Sequence, residues 1–100
     1  MQYVRSESVV SRVIAGETLI IPVRKGVGDL ASIYSLNEVG SAIWQAIQQP
    51  RDKDEIVAAI EREFDAEHKQ IERDVGAFLE DMQSAGLINI LVPQALGVPA

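Results

Sequence analysis

No chemistry in this chain can come from a thiol, because its 100 residues include no cysteine. That removes disulfides, thiolate nucleophiles, iron–sulfur clusters and the usual structural zinc sites. The single histidine, His68, stands between Glu67 and Lys69. A metal site needs several convergent ligands, so a lone imidazole among charges reads as a solvated side chain. Glu61, Glu63, Glu67, Glu72, Asp74, Glu80 and Asp81 have the residue type for general acid and base work. Such work requires one desolvated and one polar carboxyl, whereas these seven sit among polar neighbours and read as a wet helical face. Gly26-Val27-Gly28 lacks the Gly-Lys-Ser/Thr ending of a phosphate loop and joins two apolar runs, so it reads as a turn. The expectation is a non-enzyme with no metal or cofactor of its own.

The elements that would position a binding site change character between Leu30 and Trp44. Before this stretch the apolar residues alternate as in a strand; after it Val39, Ile43, Ala46 and Ile47 recur at helical spacing. Two caps are available at the junction: Asn37 as N-cap, or Ser35 with Glu38 three residues on. Upstream, residues 9–14 and 18–24 read as a hairpin turning at Ala15-Gly16-Glu17, with Leu19, Ile21 and Val23 on one face. Pro22 cannot donate to a ladder, so it belongs at a bulge, toward an edge, or where the partner strand has ended. Lys25 to Asp29 suits a hairpin loop, and a third strand follows over Leu30 to Leu36. Its alternate sets, Leu30, Ser32, Tyr34, Leu36 and Ala31, Ile33, Ser35, are both mixed in polarity. A strand of this kind with one free edge offers backbone donors and acceptors to another chain.

Three helices follow. The first runs from about Asn37 to Gln48 with Trp44 at its flank, and Pro50 stops it. Asp52 can cap the second, whose apolar side is Ile56, Val57, Ala59, Ile60 and Phe64. The third spans roughly Ala66 to Ala85 and carries the stripe Ile71, Val75, Phe78, Leu79, Met82. Gly86 is a natural C′ residue, and Leu87 to Val92 either covers the helices or extends the sheet. Residues 1 to 8 read as a loose arm and 93 to 100 as a flexible tail, leaving one domain over 9 to 92.

Composition narrows the partners. Hydrophobic residues make up 47% of the chain and charged ones 24%, so it is neither disordered nor membranous. No basic region followed by an apolar core stands near Met1, and the expected location is cytoplasmic. A net charge of −6 repels polyanions, which disfavours nucleic acid and anionic membranes. A basic or amphipathic peptide is easier to accept.

Ser35-Leu36-Asn37-Glu38-Val39-Gly40-Ser41-Ala42-Ile43-Trp44, then Asp54-Glu55-Ile56-Val57, Phe64-Asp65, Asp74-Val75 with Phe78-Leu79, and Gly86-Leu87-Ile88 resemble the PQQ biosynthesis protein D family over about residues 9 to 90. Its members are small domains that recognise leader peptides of ribosomally made natural products. The order and spacing of the fragments carry the likeness, since each alone is generic packing grammar. Where the family commonly has a glycine before the second helix's cap, Gln49-Pro50-Arg51 stands here.

Segregated strands and helices give a small α+β domain with helices on one side of a three-stranded antiparallel sheet, compatible with a winged-helix-like arrangement. The resemblance implies the same architecture and a function: a peptide-recognition adaptor that presents a precursor's leader to a modifying enzyme, of radical S-adenosylmethionine type in the namesake pathway. The implied mode is β-augmentation, with an extended peptide pairing along Ala31, Ser32, Ile33, Tyr34 and Ser35 while Arg73, Asp74, Ala77 and Asp81 of the third helix flank it. The alternative is a DNA-binding winged helix, which needs a basic recognition helix where this chain has an acidic one.

Overall fold

The computed structural model describes residues 1 to 24, 27, 28 and 33 to 92. The described chain runs β1 (Gln2–Arg5), β2 (Val9–Ile14), β3 (Glu17–Arg24), β4 (Val27–Gly28), β5 (Tyr34–Leu36), α1 (Glu38–Ala46), α2 (Lys53–Glu63), α3 (His68–Ser84) and β6 (Ile88–Leu91). This is an α+β domain with an antiparallel sheet followed by three helices, as expected. The stretches expected at Lys25–Asp29 and Leu30–Leu36 are described only in part, because 25, 26 and 29 to 32 lie outside the described residues, as does the tail from 93.

β3 is the centre of the main sheet. On one side it pairs with β2 from Val9↔Pro22 to Ile14↔Glu17; on the other it pairs with β5 at Thr18↔Leu36, Leu19↔Ser35 and Ile20↔Tyr34, and with β4 at Val23↔Gly28. A two-residue turn closes the β2–β3 hairpin, with Ala15 at φ 52 and Gly16 at φ 84. Positive φ at both positions matches the right-handed twist of the flanking strands, although Ala15 adopts it against its own Cβ.

Backbone direction follows from one bond. The Val23 N–H donates to the Ser8 carbonyl at 2.8 Å, and hydrogen-bonding direction alternates along an antiparallel pair. Glu17, Leu19, Ile21 and Val23 therefore bond toward β2, while Thr18, Ile20 and Pro22 face the β5 side. Pro22 comes one rung beyond Ile20↔Tyr34, the last pairing described there, so its missing N–H costs no described bond.

Side chains alternate with the same period. Thr18, Ile20, Pro22 and Leu36 are buried beneath the helices, and Ile20 and Leu36 join Ile43, Trp44, Ile47, Ile56, Val57, Ile60, Ile71, Val75 and Leu79 in one core. Trp44, expected at the flank of α1, has no exposed surface. The stripe on α3 divides: Ile71, Val75 and Leu79 are buried, while Phe78 and Met82 pack against the core from its rim.

The expected arm at residues 1 to 8 contains a strand. β1 pairs with β6 from Gln2↔Leu91 to Arg5↔Ile88, and Leu87 and Ile88 are buried beside it. The opposite side of β1 serves the end of α1. The Arg5 N–H donates to the Ile47 carbonyl at 3.2 Å, and the Arg5 guanidinium donates through Nε to the Trp44 carbonyl at 2.9 Å while stacking 4.8 Å from the Trp44 ring. A cation here satisfies an orphan carbonyl and lies at the negative end of the helix dipole. Burial lowers the Arg5 pKa from its ordinary value, but arginine starts so high that the charge remains.

Candidate functional site

Local capping fixes where β5 stops. Asn37 is the N-cap of α1, its Oδ1 accepting from the Gly40 N–H at 2.8 Å, so the chain leaves the sheet immediately after Leu36. Asp52 and Glu55 form a reciprocal capping box that starts α2. At the end of α3, Gly86 at φ 76 lets its own N–H bond the Gln83 carbonyl and the Leu87 N–H bond the Met82 carbonyl. Of these devices, the Asn37 cap is the one that directly adjoins β5.

Since Thr18 and Ile20 face β5, Tyr34 and Leu36 direct their N–H and C=O groups back to β3. Ser35 and, by continuation, Ile33 direct theirs outward. Among the described residues no strand pairs with that side of β5. Beside it lies a cleft of about 270 Å³ lined by Asn37, Val39, Gly40 and Ile43 of the α1 region and by Asp74, Ala77 and Phe78 of α3. Among its lining residues Asp74 is the one ionisable side chain, and it accepts from Gln70 Nε2 at 2.9 Å.

The residues expected from sequence distribute as follows. Ile33 and Ser35 are exposed on the free edge, and Tyr34 is half-buried with its ring against the core. Asp74 and Ala77 line the cleft, whereas Arg73 and Asp81 are exposed on α3 and are not among its lining residues. Ala31 and Ser32 lie outside the described residues. Sequence reasoning missed Asn37, Val39, Gly40 and Ile43 as lining and assigned Phe78 to the core alone. A signal for Gly40 was present: it is buried in the first turn of α1, where a Cβ would come within 3.2 Å of the Phe78 ring. A side chain there would make the Phe78 ring or the Asn37 cap give way by a few tenths of an ångström.

His68 opens α3 and bridges to Glu61 of α2, with Glu72 3.5 Å from its other ring nitrogen. The hydrogen bond and charge of Glu61, helped by Glu72, raise its pKa from 6.5. The ring is exposed and makes a surface clasp. Among the described residues no group of three or more His, Asp or Glu side chains could hold a metal ion, and no helix is long and apolar enough to cross a membrane. A wider hollow of about 570 Å³, between Arg51, Glu55 and Arg62, contains none of the expected site residues.

The model of the family described as coenzyme PQQ synthesis protein D (PqqD) matches residues 19–88. The chain belongs to the PqqD family. A solved structure, TbiB1 in complex with the TbiA(beta) leader peptide, resembles this PqqD-family chain with a TM-score of 0.74 and 28% sequence identity, covering 90% of this chain and 99% of that one. No curated protein matches it. The family match begins at Leu19, inside β3, and ends at Ile88, so it contains β5, α1 and α3, the elements that form the edge and the cleft.

Proposed function

We propose that this PqqD-family protein is a non-catalytic adaptor that captures the leader segment of a precursor peptide and presents it to a modifying enzyme. The observation that carries the reading is the outward-facing backbone of Ile33 and Ser35 beside the α3 cleft, in a fold similar to that of the leader-bound TbiB1. An extended leader adds as a strand to β5, its main chain bonding the Ile33–Ser35 edge. Alternate side chains then enter the cleft over Val39, Gly40, Ala77 and Phe78. Asp74 at the rim favours a basic residue next to an apolar anchor. Ala31 and Ser32 continue the same edge, and Arg73 and Asp81 touch the peptide beyond the cleft. The partner enzyme is of the radical S-adenosylmethionine type or another peptide-modifying class, and the complex works in the cytoplasm.

The DNA-binding alternative has no observation in its favour, since α3 carries Glu72, Asp74, Glu80 and Asp81 against Lys69 and Arg73. The decisive experiment is a titration of the ¹⁵N-labelled protein with the leader of the precursor peptide encoded beside it. Amide shifts at Ile33 to Asn37 and along Asp74 to Phe78 are expected, with affinity nearly independent of salt because backbone pairing releases few counterions. Shifts confined to the Arg51–Arg62 hollow or to the β2–β3 turn would refute the assignment.

A further inference from the structure

The adaptor reading uses one edge of the main sheet, β5, and leaves the longer one, β2. β2 pairs with β3 at every residue without a bulge, from Val9↔Pro22 to Ile14↔Glu17, and among the described residues no strand pairs with its other side. The bond directions that set the β5 edge also set this one. Val10, Arg12 and Ile14 sit opposite Ile21, Leu19 and Glu17, which bond toward β2, so their N–H and C=O groups are used inside the hairpin. Val9, Ser11 and Val13 direct theirs outward. The side chains along the edge are apolar and uncovered: Val10 is 41% exposed, Val13 61% and Ile14 57%. Edge strands of soluble proteins are ordinarily blunted by lysine, proline or a bulge. β2 has none of these, and Arg12 is its one charged residue.

We propose that β2 pairs antiparallel with β2 of a second copy of this chain, about a twofold axis at Ser11. The strand is complementary to itself in that register. Val9 meets the partner's Val13, Ser11 the partner's Ser11 and Val13 the partner's Val9, three hydrogen-bonded pairs of two bonds each, so every outward main-chain group of β2 is satisfied. Valine faces valine on the helix side, and on the outer face Val10 lies opposite the aliphatic stem of the partner's Arg12. Moving the axis one residue, to Arg12, sets two guanidinium groups directly opposite each other and keeps two bonded pairs within β2. Many strands could match the main-chain bonds; the reciprocal match of side chains and charge belongs to β2 with itself. The edge is about 20 Å long and the sheet about 10 Å thick, a contact well short of the about 800 Å² per partner of a standard interface, so the pair is transient and forms at high protein concentration. Two chains of net charge −6 repel at long range, and added salt therefore strengthens it. The consequence for function rests on the adaptor reading. The joined sheet runs β5-β3-β2 and then β2-β3-β5 of the second copy, which puts the two leader edges at opposite ends, about 24 Å apart and antiparallel. One dimer carries two leaders with neither edge covered.

The test exploits the absence of cysteine. Ser11→Cys places one thiol on the axis, where the paired Cα atoms lie about 5.5 Å apart, within disulfide reach. Val13→Cys places its thiol about 13 Å from its own copy, out of reach. In oxidised glutathione, Ser11→Cys should become mostly a covalent dimer and Val13→Cys should stay mostly monomeric. Sedimentation of the wild type over a concentration series should show a rising average mass, more so in added salt. Ser11→Pro removes an outward N–H, and it should stay monomeric throughout while keeping the melting temperature and the affinity for a synthetic leader of the precursor encoded beside it. A wild type that is monomeric at every concentration, equal disulfide formation at 11 and 13, or a dimer that survives Ser11→Pro overturns the inference and leaves the adaptor reading intact. A folded Ser11→Pro that loses leader binding puts the leader on β2 and overturns both the dimer and the β5 placement. Failure of the wild type to bind leader, beside the expected cysteine pattern, supports the pairing and removes the adaptor reading alone.

Discussion

Proline at Ser35 and proline at Tyr34 differ by one residue and should do opposite things. Tyr34 sits opposite the buried Ile20 in a hydrogen-bonded pair, so Tyr34→Pro deletes a donor inside the sheet. The stranded Ile20 carbonyl costs about 1–3 kcal/mol, and loss of a half-buried aromatic ring adds about 2 kcal/mol, half the value of a fully buried one. The sum, about 3–5 kcal/mol, is a large share of the about 5–15 kcal/mol available to a small domain. With a slope of about 2 kcal/mol per molar urea, the unfolding midpoint should fall by about 2 M. Ser35→Pro removes an N–H that faces outward and has no described partner, so its midpoint should move by less than about 0.5 M, again at that slope. Its effect belongs to binding. One lost donor, with a peptide carbonyl left unpaired, costs about 1–3 kcal/mol, or about 5- to 140-fold in leader affinity. Urea melts followed by Trp44 fluorescence and calorimetric titration with the leader measure the two halves independently. A destabilised Ser35→Pro beside a tolerated Tyr34→Pro would mean the edge has been assigned the wrong direction. Two stable variants with wild-type affinity would remove β5 from the binding mode.

Asn37→Ala should destabilise by about 0.5–2 kcal/mol in denaturant melts, because the Gly40 N–H loses its acceptor, whereas Ser35→Ala should change little. Phe78→Ala should cost about 2 kcal/mol, less than a fully buried phenylalanine, and should also weaken leader binding. A loss of stability with wild-type affinity would return Phe78 to the core alone. Ala15→Asn relieves a non-glycine residue at positive φ and should raise stability by up to about 1 kcal/mol, read as a higher melting temperature. Because the His68 pKa is raised above 6.5, its clasp to Glu61 contributes fully below that value and is lost as pH rises through the folded-state pKa. His68→Gln should therefore flatten the fall in stability above pH 6.5; a variant whose pH profile overlays the wild type would show that the clasp is without consequence.

What the sequence disclosed was set by how local the signal is. Asn37, Asp52 and Gly86 announce helix ends through bonds made within a few residues, and each sits where those residue types predict. The α3 stripe was legible because helical spacing concentrates apolar residues on one face, yet spacing alone does not separate buried Val75 from the half-buried Phe78 at the lip of the cleft. β1 was illegible for the complementary reason. Gln2, Tyr3, Val4 and Arg5 show no period, and their partners, Ile88 to Leu91 and the end of α1, lie far away in sequence. Trp44 was read as a flank because nothing near it reveals that Arg5 covers its ring. The edge residues of β5 were chosen from the mixed pattern of strand three together with the family resemblance; which of them face outward required the Val23–Ser8 bond, a tertiary fact. Leu19, Ile21 and Val23 read as one apolar face, but sequence could not say that the helices cover the other.

The β1–β6 pairing also has a topological consequence. Gln2 and Leu91 are cross-strand partners, which puts their backbones about 5 Å apart. A short linker could join them, and new ends could be opened at the Ala15-Gly16 turn or after Gln48 without cutting the free edge. The fold is thus suited to circular permutation, and to insertion into a surface loop of a larger enzyme through two adjacent attachment points. Neither β1 nor β6 lines the cleft beside α3. Tethering in that way would hold a captured leader at high effective concentration next to a catalytic domain, and covalent linkage would take over the work that the free adaptor must do by affinity.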